Sequence, residues 1–460
     1  MKLRVRKKLT CRVVAALAVG VCALTAASAG AQRGGARKDR HVVMISIDGC
    51  AAYNLDDARL PLPNIRGLAA SGARAGAMTV STPSVTWPNH TTLVTGVTPA
   101  KHGVLANGKI EAGSTTPMVV NPRRSKAELC RATTVYDVAH RAGLKTAEVD
   151  WPVTVGADTL DFSLSDHPDS LKFATPSLVK DLIGLGLLTG PDDAAFRTQG
   201  AVARDRVWSQ AAVHLLKTEK PNLLLLHLLN TDGQQHAHGP STTEAHTAIS
   251  LADRYVGDIV QGIKDAGLTK STTVFVVADH GFVAVTKQVR PNARLRSRGL
   301  IQGLEYDAYC IPEGGLAYIY VPRSKTRPEL VAKTRQALEG LEGVDQVFGA
   351  EQYAALGFPL PSRDSQSPDL MLSAKDGYAF SGDSTGDEVF LQPRQTGSHG
   401  YPASNPKVDA VFVASGAGIR KGAHPPRVRN LDVAPTIARL LGVSLPDADG
   451  QPLTEILSER

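Results

Sequence analysis

The sequence predicts an α/β fold, a mostly parallel sheet sandwiched by helices, with a smaller turn-rich subdomain inserted late in the chain. Three observations lead there: short apolar β-rich runs recur along the chain, helical periodicity lies between them, and the composition is that of a packed globular protein. The 460 residues are 42% apolar and 21% charged, with 42 Gly and 28 Pro. That balance excludes collagen, a coiled coil and wholesale disorder.

The first 31 residues stand apart. Lys2, Arg4, Arg6, Lys7, Lys8 and Arg12 come without an acid, the apolar run Val13–Leu24 follows, and Ala29-Gly30-Ala31 offers small residues before Gln32. A basic start, a short apolar core and a small-residue exit make an export signal over 1–31. A disordered Gly/Arg-rich leader is expected over 32–40, and the product is expected to be periplasmic or secreted. The apolar core is shorter than the roughly 20 residues of a membrane span, and no later run reaches that length. Without the signal the chain holds 45 basic against 44 acidic residues. Such neutrality gives no case for a nucleic-acid polymer as partner. Cys50, Cys130 and Cys310 remain, enough for one disulfide and too few for a Cys-rich metal site.

His41–Asp48 is the first buried-strand pattern, an apolar β-rich run ending in an acid before Gly49. Similar runs recur at 222–229, 272–278 and 408–414. The clearest helix has Ala245, Ile249, Ala252, Val256, Ile259 and Ile263 on one stripe, opened by a capping box of Ser241 with Glu244. Alternating strands and helices predict the parallel sheet, whose polar chemistry collects where strand C-ends meet loops. Residues 284–395 are turn-rich, with short β pieces such as Ala317–Val321, and are expected to form the inserted subdomain. A helix over 431–441, ended by Gly442, closes the fold.

The strand exits carry ligand chemistry. Asp48 ends the first strand; Asp232 and His236 follow the 223–229 strand; Asp279-His280 ends the 273–278 strand; His399 lies in Gly397-Ser398-His399-Gly400-Tyr401 after the insertion. Each alone is an ordinary turn or loop residue. Together, three Asp and three His suffice for two metals with open positions, and a mixed N/O set suits zinc. Pro83–Gly96 reads as a loop turning into a helix, with Thr86 at the N-cap and Pro88 in the first turn. Thr86 as a cap explains that much. The same geometry sets its hydroxyl at the positive end of a helix, where phosphate binds well, and a metal at Oγ would make it an alkoxide nucleophile.

The order Asp48, Thr86-Trp87-Pro88-Asn89-His90, Asp232-x-x-x-His236-x-x-Gly239-Pro240, Asp279-His280-Gly281 and Gly397-x-His399-Gly400 resembles the nucleotide pyrophosphatase/phosphodiesterase family of the alkaline phosphatase superfamily. The resemblance runs over residues 41–456 and implies an alkaline-phosphatase-like three-layer α/β/α sandwich. It implies two zinc ions per chain, one held by Asp232, His236 and His399, the other by Asp48, Asp279 and His280 with Thr86. Asn107 stands where the family keeps an Asn that donates to a phosphoryl oxygen. Trp87 is either a stacking face for a flat substrate group or a core aromatic. Trp151-Pro152 resembles another family dipeptide, though Val153 replaces the usual Gly. His227 falls where nucleotide-cleaving relatives often show an aromatic such as Tyr.

The implied activity is hydrolysis of phosphodiester or pyrophosphate bonds in nucleotide-like small molecules. Thr86 attacks phosphorus, a phospho-threonine forms, and water hydrolyses it. Sulfatases are excluded, since Cys50-Ala51-Ala52 lacks their C/S-x-P-x-R pattern. Two alternatives stay open. An alkaline phosphomonoesterase or phosphonate hydrolase on this scaffold would add positive charge for a dianion, with Lys109 and Lys172 unplaced by sequence. A non-catalytic protein would keep the metals as structure, with no need of a hydroxyl at Thr86.

Overall fold

All seven positions of His41–Ile47 are buried, and a strand apolar on both faces is stable only in a sheet covered by helices on both sides. In this computed structural model the described residues are 35–458, apart from 113–117, 194, 195, 197 and 323–325. The export signal assigned to 1–31 lies outside them. Residues 35–40 of the expected leader lie within them and are tied to the body: Arg37 N donates to Leu441 O, and Asn222 Nδ2 donates to the carbonyls of Lys38 and Arg40.

The central sheet has seven strands: β1 (His41–Ile47), β2 (Ala73–Arg74), β3 (Thr146–Pro152), β4 (Phe162–Asp166), β5 (Leu223–Leu228), β6 (Thr272–Val277) and β7 (Phe412–Gly416). Their order is β2-β7-β6-β1-β5-β3-β4. The five strands from β6 to β4 run parallel, whereas β7 is antiparallel to β6 and β2 to β7. Ile47 pairs with Leu228 and Ser46 with Val277, so β1, β5 and β6 end at one edge. Asp48, Asp232 and Asp279 leave the sheet there.

Five helices matter for the site: α1 (Thr86–Thr95), α2 (Ala201–Thr218), α3 (Asn230–His238), α4 (Thr243–Asp265) and α5 (Val433–Leu441). The stripe read on α4 is its buried face. Its cap is Thr242, whose side chain accepts from Ala245 N, one residue after the expected Ser241, which holds a left-handed φ of 64°.

Between β6 and β7 the chain leaves the sheet and returns through paired strands. Val283–Val289 runs antiparallel to Val389–Ser398, with Val283 opposite Ser398, and parallel to Gly377–Phe380. The segment also builds a four-stranded antiparallel sheet from 309–313, 316–320, 370–374 and 344–349. Leu295, Cys310, Ile319, Leu370 and Leu372 share one core with the central sheet. The segment therefore packs as part of the body, and its return strand delivers His399 to the sheet edge. Cys50, Cys130 and Cys310 are free thiols.

Candidate active site

Asp48, first residue beyond β1, is fully buried. Its backbone N donates to Leu228 O, and its carbonyl accepts from the Thr231 hydroxyl. Asp279 and His280 follow β6, both fully buried. Asp48 Oδ1 is 3.3 Å and Asp279 Oδ2 3.1 Å from His280 Nε2, and Thr86 Oγ1 is 3.5 Å from the same nitrogen. Gly49 N donates to Asp279 Oδ1.

Asp232 and His236 lie on α3 rather than in a loop, four residues apart and so on one helix face. Asp232 Oδ1 is 3.4 Å from His236 Nε2 and 3.5 Å from His399 Nε2. The ligand atoms of Asp232, His236 and His399 all lie within 4.8 Å of one another, and so do those of Asp48, Asp232 and His280. The structure thus brings all six predicted Asp and His residues together beside Thr86, with Asp232 between the two halves.

Two features test whether this set fits cations. Asp48 Oδ1, Asp232 Oδ1 and Asp279 Oδ2 are buried oxygens without a hydrogen bond, a costly state that a bound cation would relieve. Each imidazole also turns Nδ1 toward a backbone carbonyl, that of Gly397 for His236, Ser84 for His399 and Gly281 for His280. A carbonyl only accepts, so in the neutral ring Nδ1 carries the proton and Nε2 keeps the lone pair that faces the carboxylates. The residues fit.

The electrostatics agree. Burial, then the charge of Asp232, pushes the Asp48 carboxyl well above its usual range; burial, then Asp48, does the same to Asp279. For Asp232, His236 and His399 outweigh the effect of burial and hold the carboxyl down. Burial holds His280 well below the usual imidazole range and His399 at about 4, the latter against the pull of Asp232. His236 is the exception: against burial, Asp232 holds its imidazole above the usual range. The neutral rings of His280 and His399 and the crowded carboxylates are ligands in waiting.

Thr86 is the first residue of α1, not its cap: Val85 holds the extended cap conformation. Asn89, fully buried, accepts from Ser81 N and Asn430 Nδ2 and donates to the carbonyls of Pro83 and Val85, fixing the turn that presents Thr86. Trp87 N donates to Asn107 Oδ1 at 2.9 Å. That bond leaves the amide Nδ2 of Asn107, an exposed residue, to face outward. Trp87 itself is 6% exposed, packs with Val104, Leu129 and Val153, and donates from its indole to Asp166.

Beneath the ligands lies a layer whose contacts the sequence does not reveal. His227 contacts Asp48 and Asp150, and His90 donates to Thr86 O while packing on Trp151 and His227. Asp150 leaves little signal in the sequence, since it lies inside β3 together with Glu148 rather than beyond an apolar run.

The family model described as type I phosphodiesterase/nucleotide pyrophosphatase matches residues 42–402. A venom phosphodiesterase of Crotalus durissus collilineatus is 22% identical over 422 residues, covering 89% of this chain and 45% of its own length. Ectonucleotide pyrophosphatase/phosphodiesterase family member 1 of Mus musculus is 24% identical over 422 residues, covering 87% and 40%. The chain therefore spans less than half the length of these relatives. The structure of an inactive murine ectonucleotide pyrophosphatase/phosphodiesterase 5 in complex with AMP matches with a TM-score of 0.69 at 18% identity, over 91% of this chain and all of the other. That likeness identifies the fold as alkaline-phosphatase-like.

Proposed function

The chain belongs to the type I phosphodiesterase/nucleotide pyrophosphatase family, and on that premise we propose that it is an exported hydrolase of phosphodiester and pyrophosphate bonds in nucleotide-like small molecules. One observation carries the proposal: three carboxylates and three imidazoles, each ring oriented by a carbonyl, gather into two groups that share Asp232, and His280 of one group lies 3.5 Å from the Thr86 hydroxyl. Residues 41–456 are then the catalytic body, with 284–395 as its inserted part. Export is supported by the basic, apolar and small-residue pattern of 1–31 and by relatives that are by name a venom enzyme and an ecto-enzyme. No helix among the described residues is long and apolar enough to cross a membrane. The AMP complex of the murine neighbour supports a nucleotide-like substrate.

In this proposal Asp232, His236 and His399 hold one zinc ion, and Asp48, Asp279 and His280 hold a second beside Thr86. Bound zinc would supply Lewis-acid stabilisation of phosphoryl charge and would lower the pKa of a neighbouring hydroxyl. The protein's own groups do the rest. The Thr86 oxygen attacks phosphorus in line as its proton passes to solvent, the P–O bond to the leaving group breaks and that oxygen takes up a proton from water, and a second water then displaces the phosphoryl group and restores the Thr86 hydroxyl. Trp87 N–H is engaged by Asn107 and Pro88 has no N–H, so Asn107 relays the positive end of α1 outward, donating from Nδ2 to a phosphoryl oxygen. The return strand 389–398 and α3 hold His399 and His236 at the opposite side, where water approaches.

Among the described residues, no lysine or arginine forms a hydrogen bond or ion pair with Thr86, Asn107 or the six Asp and His residues. This absence of a paired counter-charge for a dianion supports the diester reading. Rates on bis(p-nitrophenyl) phosphate and p-nitrophenyl phosphate, with zinc added at mildly alkaline pH, test this. Faster diester cleavage is expected; the reverse would make the enzyme a phosphomonoesterase.

A further inference from the structure

His227 on β5 is fully buried, and both its ring nitrogens face oxygen atoms. Nε2 is 3.0 Å from Asp48 Oδ2. Nδ1 is 3.0 Å from the carbonyl oxygen of Asp150 and 3.5 Å from Asp150 Oδ2, a buried oxygen without a hydrogen bond of its own. Turning the ring would break contacts at both ends. The His90 ring packs against it, with centroids 4.4 Å apart.

The far end of this brace is built with care. Asp150 has φ 59° and Val153 also φ 59°, a left-handed conformation that costs a β-branched residue energy and persists only where the surroundings impose it. Glu148, fully buried, imposes it by accepting from Trp151 N, Thr154 Oγ1 and the hydroxyls of Ser163 and Ser165. The near end follows from register. Ser46 pairs with His227, and Asp48, two residues on, projects to the same side as Ser46.

We propose that His227, braced by Asp150, is a positioning residue that occupies Oδ2 of Asp48 and so presents Oδ1 alone to a cation, toward His280. His227 touches no reacting atom; it fixes a single-oxygen, single-direction ligand where a free carboxylate would rotate or bind through both oxygens. This inference rests on the two-cation proposal.

The test is zinc titration of the metal-stripped full chain against a chromophoric chelator, in the wild type, His227→Phe and His227→Gln. The wild type binds two zinc ions; binding of none would sink the two-cation proposal itself. His227→Phe keeps the ring volume without N–H groups. It weakens one zinc site about 10- to 100-fold, leaves the other unchanged, and excess zinc restores part of kcat with KM unchanged. His227→Gln, whose amide N–H reaches toward Oδ2, loses far less than the Phe variant. Two wild-type affinities in His227→Phe, or equal losses in the Gln and Phe variants, would overturn the inference. If His227→Phe does not fold, the adaptable His227→Met takes its place.

Discussion

The imidazoles of His280 and His399 lie face to face, their centroids 3.7 Å apart and their planes 10° from parallel. One ring follows the end of β6, the other the end of the strand that returns from the inserted segment. Each faces a different set of carboxylates, so the stack joins the two halves of the site into one unit. Burial keeps both rings neutral, and neutral rings stack without charge repulsion. Phe282 closes the arrangement edge-on against His399 and His236.

Thr86→Ala removes the nucleophile without touching the carboxylates or imidazoles. Turnover of the diester should fall at least about 10³-fold, while metal analysis still finds two zinc ions per chain. Thr86→Ser should recover part of the rate. Activity preserved in the Ala variant would take the role away from Thr86.

His399→Ala strips one ligand from the Asp232 side and one face of the imidazole stack. Elemental analysis should then show one zinc per chain instead of two, with activity lost in proportion. Unchanged stoichiometry would mean that a different histidine completes that site.

Gly400 sits directly after His399 with φ +79°, and a Cβ there would lie 1.6 Å from the Glu313 carbonyl oxygen. Gly400→Ala must therefore move the backbone that carries His399. A loss of about 3 kcal/mol or more in unfolding free energy is expected, with weaker zinc binding beside it. A stability equal to wild type in chemical denaturation would contradict the close approach.

Glu148 gives a pH signature. Burial raises its carboxyl to about 7 from an ordinary 4.5, despite the hydrogen bonds that pull it down. Between those values the folded chain keeps a proton that the unfolded chain has released. Stability should therefore fall as pH rises from 4.5 to about 7 and level off above, by up to about 3 kcal/mol from this group. Glu148→Gln should flatten that part of the wild-type profile in denaturant melts run pH by pH; superimposable profiles would refute the raised carboxyl.

Much of the frame is legible in the residues themselves. β1, β5 and β6 announce themselves because burial on both faces demands unbroken apolar runs, and α4 because its stripe keeps a helical period. β3 reads less easily: it carries Glu148 and Asp150 inside the sheet, polar residues that tertiary hydrogen bonds make tolerable. The ligand-bearing α3 looks like a loop, since Asn230, Gly233 and Gly239 obscure its period. Ser241 lies one residue before the cap because Thr242 offers the same hydroxyl, and Thr86 one residue after it because Val85 caps through its extended backbone alone. Asp48, Asp232, Asp279 and His280 are placed by strand ends, which pattern reveals. His399 depends on the pairing of Val283 with Ser398, and His227 on a parallel register, and neither long-range contact leaves a local trace. Trp87 suits a substrate face or a core position equally by sequence, and its packing with Val104, Leu129 and Val153 is long-range and leaves no local trace.

The two-cation centre around Thr86 is tested most directly by anomalous diffraction at the zinc edge from crystals of the metal-loaded protein. Two peaks are expected, one among Asp232, His236 and His399, the other among Asp48, Asp279, His280 and the Thr86 oxygen. A single peak, or a second ion bound away from Thr86, would contradict the account.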